Sequence, residues 1–272
     1  MVKKPGENKV LEVKNLSFKH KKQKDYVLKD ISFCAEKGKV TVILGPNGSG
    51  KSTLFKCIAG IWEIDGGKIL VDGKDISGFS HTKRARIFAI VPQEHEIAFP
   101  YSVFDMVLIG RASYIGLFST PSRRDYQKAE ESLKALEIYH LKDKSCTRIS
   151  GGERQLVLIA RALAQEANYM LLDEPTSNLD FKNQIRVLTM IKRLSRERNM
   201  TVLLSLHDPN LAGVFADQIV MIKKGSVLKT GKPSEVLNEE VIKKLYDISV
   251  RVWQINSFRI IYPVVEGTGE KI

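Results

Sequence analysis

The stretch GPNGSGKST, residues 45–53, decides the fold class of this 272-residue chain. It satisfies the pattern G-x-x-x-x-G-K-[ST], follows the strand-like run VTVIL and precedes the helix-like run LFKCIAG. Glycine lets backbone N–H groups approach phosphate oxygens closely where a helix begins. The stretch therefore predicts a loop that binds the phosphates of a nucleotide, and a glycine turn without function is the weaker interpretation.

Two side chains of this loop have distinct expected roles. Lys51 is expected to reach the terminal phosphates as a compact positive charge, and the Ser52 hydroxyl is expected to bind Mg²⁺. The residues that we expect to contact ATP here are Gly45, Pro46, Asn47, Gly48, Ser49, Gly50, Lys51, Ser52 and Thr53.

Polar residues that follow other apolar runs supply candidates for the chemistry. In YMLLDE, Asp173 is expected to hold Mg²⁺ and Glu174 to polarise the attacking water. His207 ends the run TVLLSLH, and strand carboxyl ends of an open α/β sheet converge on the ligand, so a γ-phosphate contact is expected. Gln93, in VPQE, is expected to bind Mg²⁺ or the attacking water. Each would be an ordinary loop residue in isolation, but together they favour nucleotide hydrolysis over nucleotide storage.

The order of strand-like and helix-like runs predicts an α/β fold. Short β-branched runs fill about the first 90 residues, helical periodicity replaces them from about 103 to 138, and strands then alternate with helices. We expect a mostly parallel core sheet, an antiparallel β subdomain and a helical subdomain inserted at about 95–150. The predicted boundaries are 8–249 for the ATPase domain and 250–272 for a short C-terminal extension.

Composition limits the classes of partner and compartment. The net charge of +12 would suit nucleic acid or an anionic membrane surface, but the basic run KHKKQK at 19–24 has no arginine or interleaved aromatic residue, so nucleic-acid binding is not expected. No apolar run approaches the roughly 20 residues of a membrane-spanning helix, which predicts a cytosolic protein. Cys34, Cys57 and Cys146 are far apart and indicate reduced packing residues.

Six stretches in one order resemble the motifs of the nucleotide-binding subunits of ABC transporters. They are GPNGSGKST, VPQ, ISGGERQ, YMLLDEP, SNLD and LSLH. The resemblance covers about residues 10–250 and implies a P-loop NTPase fold with a RecA-like core sheet. It also implies that the chain hydrolyses ATP with Mg²⁺, and that Asp180 in SNLD belongs to the nucleotide site.

The stretch ISGGERQ, residues 149–155, has a role only through this resemblance, because it contains no nucleophile or evident general base. In the family this stretch contacts the γ-phosphate bound to the other subunit of a head-to-tail dimer. The resemblance thus implies a homodimer in which Ser150, Gly151 and Gly152 complete the partner's site. The start of a helix is a suitable place for an anion.

The inserted segment resembles one subfamily more closely. FPYSVFDMVLIGR and GLFSTPSRRD look like the ATPases of importers for iron chelates, cobalamin and related metal compounds. This implies a peripheral protein on the cytoplasmic face of the membrane, working with integral permease subunits and, indirectly, an extracytoplasmic substrate-binding protein. Phe99, Tyr101, Phe104 and Met106 either form the permease docking groove or the small core of the insert. The alternative is a soluble ABC-type ATPase without a permease, such as one of metal-cluster assembly.

The adenine contact departs from the family pattern. Family members usually place an aromatic residue about thirty positions before the P-loop lysine. His20 stands at that position here, and Tyr26 is the other candidate for stacking on adenine.

Overall fold

A computed structural model describes residues 10–21, 23–93, 99–116, 118–256 and 258–264 of the chain. Its strands are β1 (Val10–Phe18), β2 (Leu28–Glu36), β3 (Val40–Leu44), β4 (Gly66–Val71), β5 (Lys74–Asp75), β6 (Phe88–Val91), β7 (Tyr169–Leu172), β8 (Thr201–Leu206), β9 (Gln218–Lys223), β10 (Ser226–Gly231), β11 (Val250–Ile255) and β12 (Phe258–Pro263). Its α-helices are α1 (Lys51–Ala59), α2 (His81–Ala85), α3 (Val103–Leu108), α4 (Arg123–Ala135), α5 (Gly151–Ala164), α6 (Phe181–Glu197), α7 (Pro209–Phe215), α8 (Pro233–Val236) and α9 (Glu239–Tyr246). Within these ranges, no helix has both the length and the apolar character needed to cross a membrane.

The central sheet has six strands in the order β10-β9-β3-β8-β7-β6. The five strands from β9 to β6 are parallel, and β10 pairs with β9 as an antiparallel edge strand. Every residue of β3, β7 and β8 is buried, as expected for parallel strands that are covered on both faces. The carboxyl ends of β3, β6, β7 and β8 therefore meet at one edge, where the predicted site residues follow them.

A second, antiparallel sheet has the order β2-β1-β4-β5. Its buried residues share a core with α1 and one face of the central sheet, while the helices after β6 pack with the opposite face in a second core. The predicted parallel core sheet and antiparallel β subdomain are thus confirmed. Cys57 and Cys146 are buried as expected, but the prediction for Cys34 was wrong: alternation along β2 turns its side chain to solvent.

The helical insert is built around α3, α4 and α5, which contact one another pairwise. Ser102 and Ser122 are the N-cap residues of α3 and α4. Arg111, only 2% exposed, joins the three helices. Its Nε donates to Asp125 Oδ1 at 3.0 Å, and its Nη1 donates to the Ala164 carbonyl at 2.6 Å and to Glu166 Oε2 at 2.9 Å.

In the C-terminal region, the apolar spacing of SEVLNEEVIKKLY, residues 234–246, predicts one short helix, and the structure differs. Two helices form instead, α8 and α9, because the side chain of Asn238 accepts from the Val241 N–H and begins a new helix there. The chain then forms the antiparallel hairpin β11–β12, which packs against α7.

Candidate functional site

The loop between β3 and α1 forms an anion-binding site. Gly50 precedes α1 with φ of 105°, which glycine adopts without strain, and a Cβ there would lie 2.7 Å from Leu28 Cδ2. No side chain caps α1, and its first turn contains no acidic residue. The N–H groups at this helix start and the positive end of the helix dipole are therefore available to phosphate oxygens.

The side chain of Lys51 is held beneath the loop. It is 4% exposed, and its Nζ donates to the carbonyls of Gly45 at 2.9 Å and Pro46 at 3.1 Å. The same Nζ lies 3.4 Å from Glu174 Oε1, at the end of β7. The ammonium group is thus positioned between the loop and the carboxylate.

Asp173 and Glu174 are fixed by one buried hydroxyl. Ser205 Oγ, on β8, donates to Asp173 Oδ1 at 2.8 Å and accepts from the Glu174 N–H at 2.7 Å. Glu174 has φ of 46°, a left-handed conformation that is uncommon outside glycine and asparagine. Neighbouring strands therefore set the direction of both carboxylates.

The other predicted catalytic side chains lie close to the Glu174 carboxylate. Gln93 Nε2 donates to Glu174 Oε2 at 2.9 Å, and His207 Nδ1 lies 4.0 Å from that oxygen. The His207 side chain is 56% exposed at the end of β8. Glu174 is only 9% exposed, so the structure brings Gln93, Lys51 and His207 around one nearly buried acid.

Lys51, Gln93 and Glu174 line a cleft of about 420 Å³, whereas Asp173 and His207 are not among its described lining residues. The described residues that line it are Val27, Asn47, Gly48, Gly50, Lys51, Ser52, Thr53, Gln93 and Glu174. Most of the predicted loop residues are in this lining, and Gly45 and Pro46 contribute through their bonds to Lys51. Ser49 is buried in the loop, 3% exposed, and its hydroxyl has no hydrogen-bond partner among the described residues.

The stretch ISGGERQ lies outside that lining. Ser150 caps α5: its Oγ accepts from the Glu153 N–H at 3.3 Å, and Glu153 Oε2 accepts from the Ser150 N–H at 2.8 Å. The hydrogen bonds that the Glu153 carboxylate accepts, first from the Ser150 backbone N–H and then from the Ser150 hydroxyl at 2.8 Å, hold the pKa of Glu153 below its usual value. A Cβ on Gly152 would lie 2.6 Å from Asn183 Oδ1, so α5 starts in close contact with α6.

Asp180 begins α6 at the same junction. Its Oδ1 accepts from the Asn183 N–H at 2.8 Å, and its Oδ2 accepts from Asn183 Nδ2 at 3.1 Å. Asn183 therefore links the cap of α6 to Gly152 of α5. Neither Asp180 nor the residues 150–152 are among the described residues that line the phosphate cleft.

Comparison with known proteins assigns the family. The profile of the ABC transporter family matches residues 28–177, more than half of the chain. The chain belongs to the ABC transporter ATP-binding family. ABC ATPase cassettes of this family bind and hydrolyse ATP, and the predicted α/β P-loop fold is confirmed by the structural neighbours.

Similar members of the ABC family cover nearly the whole chain. The probable iron chelatin transport ATP-binding protein of Helicobacter pylori strain 26695 is 38% identical over 91% of this chain and 97% of its own length. The petrobactin import ATP-binding protein YclP of Bacillus subtilis is 32% identical over 92% and 98%. A solved transporter described as a metal-chelate type ABC transporter in an inward-facing conformation has a TM-score of 0.83, with 35% identity over 95% of this chain and 99% of that chain.

The oxygen donors of the ABC site suit Mg²⁺. The hydroxyl of Ser52, the amide oxygen of Gln93 and the carboxylate of Asp173 are hard ligands, and Mg²⁺ is commonly held by one or two protein groups together with substrate phosphates. Across the described residues, no group of three or more His, Cys, Asp or Glu side chains has the arrangement of a metal site. The donor set therefore fits a metal that arrives with the nucleotide.

The two candidates for the adenine contact occupy different surroundings. The His20 ring packs against Phe18 and Trp62, with centroids 5.1 Å and 5.0 Å away. Tyr26 is 42% exposed, and Lys19 Nζ lies 5.3 Å from its ring centre. Neither ring is among the described residues of the phosphate cleft, whereas Val27, next to Tyr26, is. The stacking residue stays a prediction.

Sequence reasoning missed two residues that support the site. Ser205 links the Asp173 carboxylate to the Glu174 backbone N–H, and the only signal for it is a polar residue one position before the end of an apolar strand. Tyr246 Oη, from α9, donates to the His207 carbonyl at 2.8 Å. No local pattern could have found this contact, because 39 residues separate the two.

Proposed function

We propose that this chain is the ATP-hydrolysing subunit of an importer, that it forms a homodimer around two Mg-ATP molecules, and that the dimer drives a separate membrane permease for a metal chelate. The observation that carries the proposal is the arrangement at Glu174. A nearly buried carboxylate lies beside the P-loop lysine, with Gln93 as hydrogen-bond partner and His207 nearby.

Within the proposed subunit, each site residue has a separate role in ATP hydrolysis. Lys51 and the loop N–H groups neutralise the phosphate charge, and Glu174 accepts a proton from the attacking water. His207 contacts the γ-phosphate, while Gln93 helps to position water or metal. Ser52, Gln93 and Asp173 would hold Mg²⁺, which would supply charge stabilisation to the phosphates.

Dimerisation follows from the incomplete anion site at α5. Ser150 and Gly151 present an unobstructed helix start, since a Cβ on Gly151 would meet only Leu179 Cδ2 at 3.7 Å. The capping hydrogen bonds from Glu153 hold this start rigid. A second subunit's γ-phosphate would meet the backbone N–H groups of Gly151 and Gly152 and would compete with Glu153 for the Ser150 hydroxyl, with Asp180 at the same junction. ATP thus binds more tightly to the closed pair than to the open one, which gives it the means to shift a permease between states.

The helical insert is the proposed permease surface. Phe99 and Tyr101 are 65% and 43% exposed, and an apolar groove continues past Leu108 and Ile109. The other two candidates have a different place: Met106 is buried in the core, and Phe104 stacks on Tyr126. The groove therefore begins at Tyr101, whose ring centre lies 6.1 Å from that of Phe99, and neither Phe104 nor Met106 is among the described residues that line it.

The metal-chelate cargo is supported by relatives. The H. pylori and B. subtilis proteins are named for iron chelatin transport and petrobactin import, and the solved neighbour is described as a metal-chelate type. An iron–siderophore complex, cobalamin or a related compound is the proposed cargo, delivered by an extracytoplasmic binding protein to a permease in the membrane. The chain itself would lie on the cytoplasmic face.

Glu174→Gln tests the two-site mechanism. The variant should bind ATP, lose turnover and accumulate as an ATP-bound dimer in analytical ultracentrifugation. Adding Ser150→Arg should abolish that dimer without weakening ATP binding to the monomer. A Glu174→Gln protein that stays monomeric at saturating Mg-ATP would refute the mechanism.

A second experiment separates the importer from a soluble ABC-type ATPase. Affinity purification from detergent-solubilised membranes should recover integral permease subunits with the wild-type chain, and Tyr101→Glu should lose them while keeping ATP binding. Recovery of soluble assembly proteins alone would favour the soluble alternative.

A further inference from the structure

The hairpin β11–β12 has an apolar face that the rest of the described chain leaves exposed. Trp253 pairs with Ile260, and Ile255 pairs with Phe258. Directly paired residues of an antiparallel hairpin share a face, and the two pairs are two residues apart along each strand, so all four side chains lie on one face. Their exposures are 50%, 43%, 49% and 48%, in that order. We call these four residues the hairpin face.

The opposite side of the hairpin is firmly attached. Val250 and Ile261 are buried against the core. Asn210, in α7, donates to the Ile261 carbonyl at 3.0 Å and accepts from its N–H at 2.8 Å. Arg259 donates to the Leu237 carbonyl at 2.8 Å. The hairpin face is therefore presented on an anchored element.

This element is connected to the catalytic edge of the molecule. The helix α7, on which the hairpin packs, begins at Pro209, two residues after His207. Tyr246, four residues before β11, donates to the His207 carbonyl. In the proposed dimer, His207 faces the nucleotide at the subunit boundary, so a rigid connection leads from that boundary to the hairpin face.

The size of the face argues for a supporting contact. Four half-exposed side chains of these types offer roughly 400 Å² of apolar area, comparable to the largest patch on a typical monomer. Two copies packed together would bury roughly 800 Å², which is less than the ~1,200 Å² of a stable specific interface. Such a contact cannot hold a dimer alone, but it can add to a dimer that nucleotide already holds.

The chemistry of the face favours a second copy as its occupant. None of the four residues is charged, so the face complements an apolar surface, and a two-fold axis would place like against like. Residues 265–272, VEGTGEKI, are the other candidate to cover the hairpin face. They include only two large aliphatic side chains, which are too few to cover four large residues. Arg251, beside the face, lies 3.6 Å from Glu239, so its charge already has a partner.

We propose that the hairpin faces of two subunits pack against each other when ATP closes the dimer. This inference rests on the proposed function, because it requires the ATP-bound pair. The contact strengthens closure without touching nucleotide, so its loss weakens dimerisation and leaves ATP binding to the monomer unchanged.

The test uses the full chain with Glu174→Gln, Mg-ATP and sedimentation velocity. Adding Trp253→Ser and Phe258→Ser should raise the dimer dissociation constant on the order of tenfold or more, since central aromatic residues dominate such contacts. ATP affinity of the monomer should not change. Phe118→Ser is the matched control, because Phe118 is a fully exposed aromatic residue of the insert, and it should leave the dimer dissociation constant unchanged.

A cross-link tests independently whether two hairpin faces are in contact. Ile255→Cys, in a chain whose exposed Cys34 is changed to serine, should form a disulfide between two copies when copper–phenanthroline is added as oxidant, and only when Mg-ATP is present. An ATP-bound dimer with an unaltered dissociation constant in the hairpin variant would overturn this inference and leave the proposed function intact. A monomeric Glu174→Gln parent would instead overturn the proposed function.

A lipid occupant predicts a different result. Vesicles of one part phosphatidylserine to three parts phosphatidylcholine should not carry the wild-type chain upward in flotation. Flotation that disappears with Trp253→Ser and Phe258→Ser would assign the hairpin face to the membrane and contradict the dimer contact.

Discussion

Replacing Arg111 by methionine should lower the free energy of unfolding by roughly 3–5 kcal/mol, the range for a buried ion pair that loses one partner. Arg111 is 2% exposed, and its guanidinium centre lies 4.1 Å from the Tyr114 ring centre. Methionine would fill much of the space but leave Asp125, Glu166 and the carbonyl that ends α5 without their donor. Each loss concerns a buried or partly buried polar group, so water cannot fully replace it.

The assay is urea unfolding followed by circular dichroism, compared with Arg124→Met. The Arg124 side chain is 74% exposed and lies 4.0 Å from Glu166, so its removal should change the free energy of unfolding by at most ~1 kcal/mol. The two variants remove the same charge near the same acid and differ in burial. Equal midpoints of unfolding, with equal slopes, would refute the reasoning that burial makes Arg111 important.

Three further predictions concern residues that position the site or the insert. Ser205→Ala should lower the free energy of unfolding by ~1–3 kcal/mol, because it leaves the buried Glu174 N–H unpaired. It should also reduce kcat more than ATP affinity. Steady-state kinetics and ATP titration measure kcat and affinity, and an unchanged kcat would contradict the prediction. Tyr246→Phe should reduce kcat about threefold to tenfold with unchanged ATP affinity, since the hydrogen bond to the His207 carbonyl is worth about 1 kcal/mol. Equal kcat in the variant and the wild type would exclude a positioning role for Tyr246. Hydrogen bonds from Ser122, and then from Arg111, hold the pKa of Asp125 below its usual value. The ionised Asp125 carboxylate therefore stabilises the fold above the unfolded-state pKa of about 3.9, and this stabilisation is lost as pH falls through the lower folded-state pKa. Asp125→Asn should therefore flatten the acid side of the stability–pH profile measured by thermal unfolding, and an unaltered profile would contradict this.

The sequence predicted which side chains meet beside the glycine-rich loop because local patterns encode their positions. A glycine-rich loop between a strand and a helix, and polar residues directly after apolar strands, place Lys51, Gln93 and Glu174 at the same edge of a parallel sheet. The structure brings those three into contact. Strand order completes the arrangement, since β6, β7 and β8 are neighbours in the central sheet.

The residues that the sequence did not predict act over long separations. Ser205 and Tyr246 each contact the site from an element whose local pattern serves another purpose, namely burial in β8 and amphipathic packing of α9. The break between α8 and α9 was also missed, because apolar spacing continues across Asn238 while its side chain caps a new helix. Periodicity reports the buried face of a segment, but it does not report which distant backbone group a polar side chain reaches.

The contact between Lys51 and Glu174 also links charge burial to the order of events at the site. Each group is nearly buried, and either one alone would be costly to remove from water. Together they offset each other's charge, 3.4 Å apart, so the loop and the end of β7 are joined by one ion pair. The acid proposed to activate water is therefore also the counter-ion of the P-loop lysine. A phosphate that took over the ammonium of Lys51 would leave Glu174 without that partner, so the proposed base would be released by the same binding step that precedes its reaction.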